Sequence, residues 1–205
     1  MRVLVAIGSL AALRGVLDGD LLELRAGSDV VVVMTAAAFV GVTEAAIELS
    51  AYFEGAGANV EALMNVDHSS RDEPYFARRV READLVVLAD GSVLHAKSVW
   101  HESLLGAAIR DGQRLLAIGA VASVLGGTMI DPRGGAPTTG LGYVEGLVVT
   151  TGAGEEQLAR TRSLLGTDAR LAVLGPLGAL TYDGATWRAL SDDVVTTCGS
   201  EVVSL

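Results

Sequence analysis

The sequence holds a single cysteine, Cys198, in 205 residues. That excludes an internal disulfide and any metal site built from several cysteines. Aromatic residues make up only 4%, so the core must be assembled from Val, Leu, Ile and Ala. Basic residues are scarce as well, 15 against 25 acidic ones, and only Lys97 among them is a lysine. The resulting net charge of −10 repels phosphate backbones and anionic lipid, which excludes nucleic acid and membrane surfaces as partners. No apolar run approaches the ~20 residues of a membrane helix. The apolar stretch within the opening MRVLVAIG is too short for a secretion signal, so the expected compartment is the cytoplasm. Of the three histidines, His95 and His101 are six residues apart and do not share a helical face, so no metal site and no cofactor are expected.

What is present is a large apolar fraction, 50%, arranged in short runs. Residues 2–7, 29–34, 59–64, 84–88, 114–118, 145–151 and 171–174 read as strands, several of them apolar on both faces, as in a buried parallel sheet. Between them, residues 42–53 carry apolar groups at helical spacing, Pro74 suits the first turn of a helix reaching about Ala83, and residues 93–110 form a helix broken near His101. Residues 155–165 are a further helix. Residues 128–142, rich in glycine and holding two prolines, read as a long loop. After Gly175 the pattern changes to short β segments between turns. The whole predicts one domain, residues 1–205, of three layers: a mostly parallel sheet flanked by helices, with antiparallel strands at the C-terminal edge.

Two nucleotide motifs fail. GGTMIDPRGG, residues 126–135, lacks the Gly-Lys-Ser/Thr ending of a phosphate loop, and IGSLAALRG after the first strand is not GxGxxG. The stretch RLLAIGAVASVLGG, residues 114–127, is more informative. A buried strand ending in Gly119 and followed at once by small residues has the layout of a nucleophile elbow, and its five-residue frame runs from Gly119 to Ser123. The residue at the apex is Val121, which cannot attack a carbonyl.

With the elbow in view, the chain resembles the cyanophycinase and α-aspartyl dipeptidase group of serine peptidases, which have the class I glutamine amidotransferase-like fold. The resemblance runs through VVVVMTAAA, AIELSAYFEGAGANVEAL, ADLVVLADGSVLHAKSVWHESLLGAAIRDG, GLGYVEGLVVTTG and GALTYDGATWRAL, in the family's order and spacing. It implies a serine nucleophile at Val121, a base histidine at Gly152, an oxyanion Gly-Gly pair at Asp90-Gly91 and, in cyanophycinase-like members, an acid near Pro176. None of the four is what the chemistry needs. A carboxylate at position 90 opposes the charge an oxyanion hole stabilises, and loss of serine or histidine alone costs roughly a millionfold in a subtilisin. In dipeptidase-like members the acid lies between elbow and histidine, where Asp131 and Glu145 are available.

The leading expectation is therefore a catalytically degenerate homologue, its pocket around Asp90, Gly91, Ser92, Val121 and Gly152 retained for a small peptide-like or acidic amino-acid ligand, or for assembly. The alternative is an active hydrolase with a relocated nucleophile, Ser92 or Ser123, and His95 or His68 as base. Ser92 reads equally as the N-cap of the helix after it, Ser123 as a small helix residue, and Asp67-His68-Ser69-Ser70 as a polar loop. Asp131 and Arg133 fit either a ligand's charge or a solvated turn. A homodimer or a structural subunit, paired through EVVSL, is the third option.

Overall fold

The valine and leucine runs form the centre of the molecule because both faces of their strands are covered. In the computed structural model, which describes residues 3–13, 15, 22–64, 66–199 and 201–205, the strands β1 (Val3–Ile7), β2 (Asp29–Val33), β3 (Asn59–Leu63), β4 (Leu85–Leu88) and β5 (Arg114–Ile118) are parallel and lie in the order β1-β5-β4-β2-β3. Successive side chains point to opposite faces, so Leu4, Val31, Val33, Val86 and Leu115 join one apolar cluster. Val5, Val30, Val32, Val87 and Leu116 join the other.

Helix α1 (Val42–Gly55) covers the second face through Ala46, Leu49 and Phe53. The first face is covered by α2 (Pro74–Glu82), α3 (Val93–Trp100) and α4 (Leu104–Asp111). Pro74 takes the first helical position, as expected. The break near His101 is made by Glu102, whose φ of +49° is left-handed, and by Ser103, whose hydroxyl accepts the Gly106 N–H and so caps α4.

The segment 128–142 is not an open loop. β6 (Thr128–Ile130) pairs antiparallel with β7 (Pro137–Thr139). Asp131 closes the turn by accepting N–H groups of Arg133 on its side chain and of Gly134 and Gly135 on its carbonyl. Glycine and proline there serve a tight hairpin.

The β-rich tail divides between two sheets. β10 (Ala179–Tyr182) and β11 (Trp187–Ala189) extend the main sheet antiparallel beyond β1. β8 (Val148–Thr151) and β9 (Arg170–Leu174), joined by α5 (Glu155–Leu165), belong instead to a four-stranded sheet with β12 (Val194–Cys198) and the edge strand β13 (Glu201–Val202), in the order β13-β12-β9-β8. Among the described residues no helix is long and apolar enough to cross a membrane.

At the N-terminal end of the parallel strands, Arg79 pairs with both oxygens of Asp29 at 3.0–3.1 Å and with Glu61 at 2.6 Å. This network ties α2 to β2 and β3.

Candidate functional site

In open parallel sheets, ligand sites form beyond the carboxyl ends of the strands, and here the turns after β4 and β5 meet at that edge. Leu88 and Ala117 are register partners, so the residues just past them, Asp90 and Gly119, are brought side by side. The Asp90 carboxylate accepts the N–H of Gly91 at 2.7 Å and of Ala120 at 2.8 Å. A Cβ on Gly119 would stand 2.2 Å from that carboxyl carbon. The positive φ of Gly119, +64°, turns the chain there. Gly91 is equally constrained, because a Cβ on it would lie 2.1 Å from the Ala36 carbonyl oxygen, and Ser92 N–H donates to that same oxygen.

The elbow frame is thus present in sequence but turns at a different residue. From Gly119 to Leu125 the chain forms a 3₁₀ helix, and Val121 points inward, fully buried in the first core cluster. The expectation that Val121 lines a pocket is corrected on this point: the strained turn that would expose the apex sits two residues earlier.

The cavity nearest the elbow has about 130 Å³ and is lined by Ala120, Ser123, Thr150, Gly152 and Gln157 among others. Gly152, φ +62°, faces open space, and among the described residues no histidine, carboxylate or cation lines the cavity. Ser123 donates its hydroxyl hydrogen to the Ala120 carbonyl at 2.8 Å, the back-bond of a helical serine.

Ser92 is the N-cap of α3, its hydroxyl accepting His95 N–H at 3.3 Å. His95 does not turn toward it. Its Nε2 lies 2.5 Å from the Val66 carbonyl oxygen, which can only accept, so Nε2 carries the hydrogen, and the ring stands edge-on to Phe39. His68 lies on the surface, with Nε2 3.4 Å from the hydroxyl of Ser98. Ser98 escaped the sequence reading because His68 is 30 residues away and its loop carries no periodic signal. Its one hydroxyl hydrogen goes to the His95 carbonyl at 2.8 Å, so it can only accept from His68, the wrong direction for a base.

The remaining candidates have local partners. Asp131 is held by the Arg133 side chain, together with its N–H, and its carboxyl falls to about 2. Pro176 is exposed, and its carbonyl accepts from Ser9 at 2.7 Å. No carboxylate lies in its own segment, but Asp193, from the start of the last sheet strands, accepts the Leu177 N–H at 2.8 Å and fills the space over Gly175. Asp67 sits in its loop accepting from Ser69 and Ser70; the Ser69 hydroxyl, against a small cost of burial, holds its carboxyl below the ordinary value. Among the described residues no three His, Cys, Asp or Glu side chains gather as metal ligands.

Comparison with known proteins agrees at the level of fold. No family model and no curated protein sequence matches the chain. Chains of solved structures do match, fifteen in all. A peptidase from an acI-B1 actinobacterium superposes with a TM-score of 0.78 at 18% identity, over 100% of this chain and 97% of that one. A protein provisionally described as peptidase E from Listeria monocytogenes superposes with a TM-score of 0.65 at 14% identity, over 97% of this chain and 98% of the other. The architecture is the α/β fold of the class I glutamine amidotransferase-like proteins.

Proposed function

We propose that the chain is a catalytically silent relative of serine peptidases, of the cyanophycinase and dipeptidase type, which uses its scaffold to bind or assemble. One observation carries the reading: the Asp90 carboxylate already occupies the backbone N–H groups of Gly91 and Ala120 at the elbow. Peptide hydrolysis needs free donors where negative charge develops on the carbonyl oxygen. A fixed carboxylate there uses up two of them and adds charge of the sign to be stabilised. Val121 and Gly152 leave the same site without nucleophile and base. The cavity beside Gly152 is small and carries no charged lining residue, and the scaffold serves either a small peptide-like or acidic amino-acid ligand or assembly, including a homodimer.

A second reading rests on the approach of His68 to Ser98, which would make Ser98 a relocated nucleophile if its hydroxyl turned. A fluorophosphonate probe followed by intact-mass spectrometry separates the two. A silent scaffold takes up no adduct, and peptides are not cleaved. An adduct on the wild type that disappears in Ser98→Ala, Ser92→Ala or Ser123→Ala identifies an active hydrolase and names its nucleophile.

A further inference from the structure

A second, larger cavity of about 580 Å³ lies between α5 and the four-stranded sheet, and it shares no lining residue with the cavity at the elbow. The sequence explains why it is open. Ala159, Arg162, Ser163 and Gly166 are spaced i, i+3, i+4, i+7, so they lie on one face of the helix and its end. Three of the four are small. Opposite them, Val195 and Thr197 are two apart on β12 and share a face, and Val202 of β13 is the register partner of Thr197. A helix that presents Ala, Ser and Gly to Val and Thr leaves a slot instead of a packed seam.

Two polar atoms are stranded in the walls of that slot. Arg162 Nε and Thr197 Oγ1 are the buried side-chain nitrogen and oxygen without a hydrogen-bond partner among the described residues. Thr197 is only 4% exposed. Among the described residues Arg162 has no ion pair either, in a chain of net charge −10. Buried polar groups are ordinarily satisfied, and each exception calls for an explanation. Both residues line the same cavity, and the two atoms themselves lie covered just behind its wall.

We propose that this slot binds an amphiphilic monocarboxylate, its carboxylate on the Arg162 fork and Thr197 hydroxyl, its aliphatic body along Val195 and Val202. The guanidinium suits a planar carboxylate, and ligand binding would draw the covered Arg162 Nε and Thr197 hydroxyl into the slot by a change of side-chain rotamer, giving both the partner they lack among the described residues. Apolar walls favour a chain of several methylenes over a compact anion, and the acidic protein disfavours a ligand of higher charge. The volume falls in the range of about 300–1,000 Å³ typical of small-molecule sites.

Octanoate tests the proposal by NMR titration of the wild-type chain, with 1-octanol and inorganic phosphate as neutral and compact controls. Saturable methyl shifts confined to Val195 and Val202 are expected with octanoate, and neither control reproduces them. Arg162→Leu weakens octanoate roughly tenfold or more, the scale of losing one charge-assisted contact. Ala159→Leu, which fills the slot while keeping the arginine, abolishes the shifts and leaves the circular-dichroism spectrum unchanged. Octanoate that fails to saturate, or binds Arg162→Leu as it binds the wild type, overturns the assignment. Val195 and Val202 shifts that follow protein concentration, with no further change on adding octanoate, give the slot to a second copy of the chain and overturn it as well.

Discussion

The carboxylate of Asp90 fills the space that a side chain on Gly119 would need: a Cβ there would stand 2.2 Å from the Asp90 carboxyl carbon. The two residues are 29 positions apart in the chain and meet because β4 and β5 are neighbours. Each fixes the other. Asp90 requires a glycine opposite, and the left-handed turn at Gly119 delivers the Ala120 N–H to Asp90.

This mutual dependence predicts a coupled mutant pair. Gly119→Ala places a methyl against the carboxylate at φ +64° and should cost about 2–4 kcal/mol by urea denaturation, the sum of left-handed strain and a clash. In the Asp90→Ala background only the strain remains, so the same change should cost about 1–2 kcal/mol. Equal costs in both backgrounds would mean the carboxylate does not press on the turn.

On the proposed reading, placing a serine and a histidine at the elbow should not produce hydrolysis. Val121→Ser leaves its hydroxyl in the first core cluster, because Val121 is fully buried, and should destabilise the chain by about 1–3 kcal/mol. Val121→Ser with Gly152→His should show no fluorophosphonate adduct and no peptide hydrolysis. Measured turnover would show that the elbow exposes position 121 after all.

Much of this arrangement was legible in the sequence, and the limits have physical causes. The runs VLVAI, DVVVV, LVVL and RLLAI read as buried strands because stiff apolar side chains on both faces have few other uses. The helix break near His101 and the N-cap role open to Ser92 followed from local rules. That a carboxylate stands in the turn after the fourth strand was readable too. That it captures the Ala120 N–H was not, since the contact depends on which strands are adjacent. Residues 128–142 read as a loop because hairpin turns and open loops use the same glycines and prolines. The division of the tail between two sheets turns on strand pairing, which period-2 patterning does not specify.

The hairpin turn offers a pH test. With its carboxyl lowered from 3.8 to about 2, chiefly by the Arg133 guanidinium, Asp131 keeps its charge as the solution is acidified to pH 3. A lowered value in the folded state means that the ion-paired turn is favoured fully above the ordinary carboxylate range, and that this preference fades as pH falls from about 4 to about 2. Carboxyl-carbon NMR should find the midpoint near 2. Arg133→Ala should move it upward, though not fully, because the residue 133 N–H still donates to the carboxylate.

At the other end of the sheet, Arg79 pairs with Asp29 and Glu61 together. Burial alone would raise the Glu61 carboxyl, but hydrogen bonds from Tyr75 and Arg79 outweigh it and leave it below the ordinary value. Arg79→Leu strands two partly buried carboxylates and should cost about 1–3 kcal/mol at pH 7, a range discounted because all three side chains keep some solvent contact. The penalty should shrink as the solution is acidified through the ordinary carboxylate range, because Glu61, held below its ordinary value in part by Arg79, takes up its proton more readily in the variant. Urea melts at pH 7 and pH 3 measure both values, and a penalty that grows with acid would refute the ion-pair account.

The most direct measurement is the scalar coupling across the hydrogen bond from the Ala120 amide to the Asp90 carboxyl carbon, read in uniformly labelled protein. Asp90 serving as the permanent occupant of the elbow's donors predicts a resolved correlation between Ala120 nitrogen and Asp90 Cγ, with slow amide exchange at Ala120 and loss of both in Asp90→Ala. An Ala120 amide that exchanges freely with water and shows no correlation would mean the donors are vacant, and the silence proposed for this site would lose its physical basis.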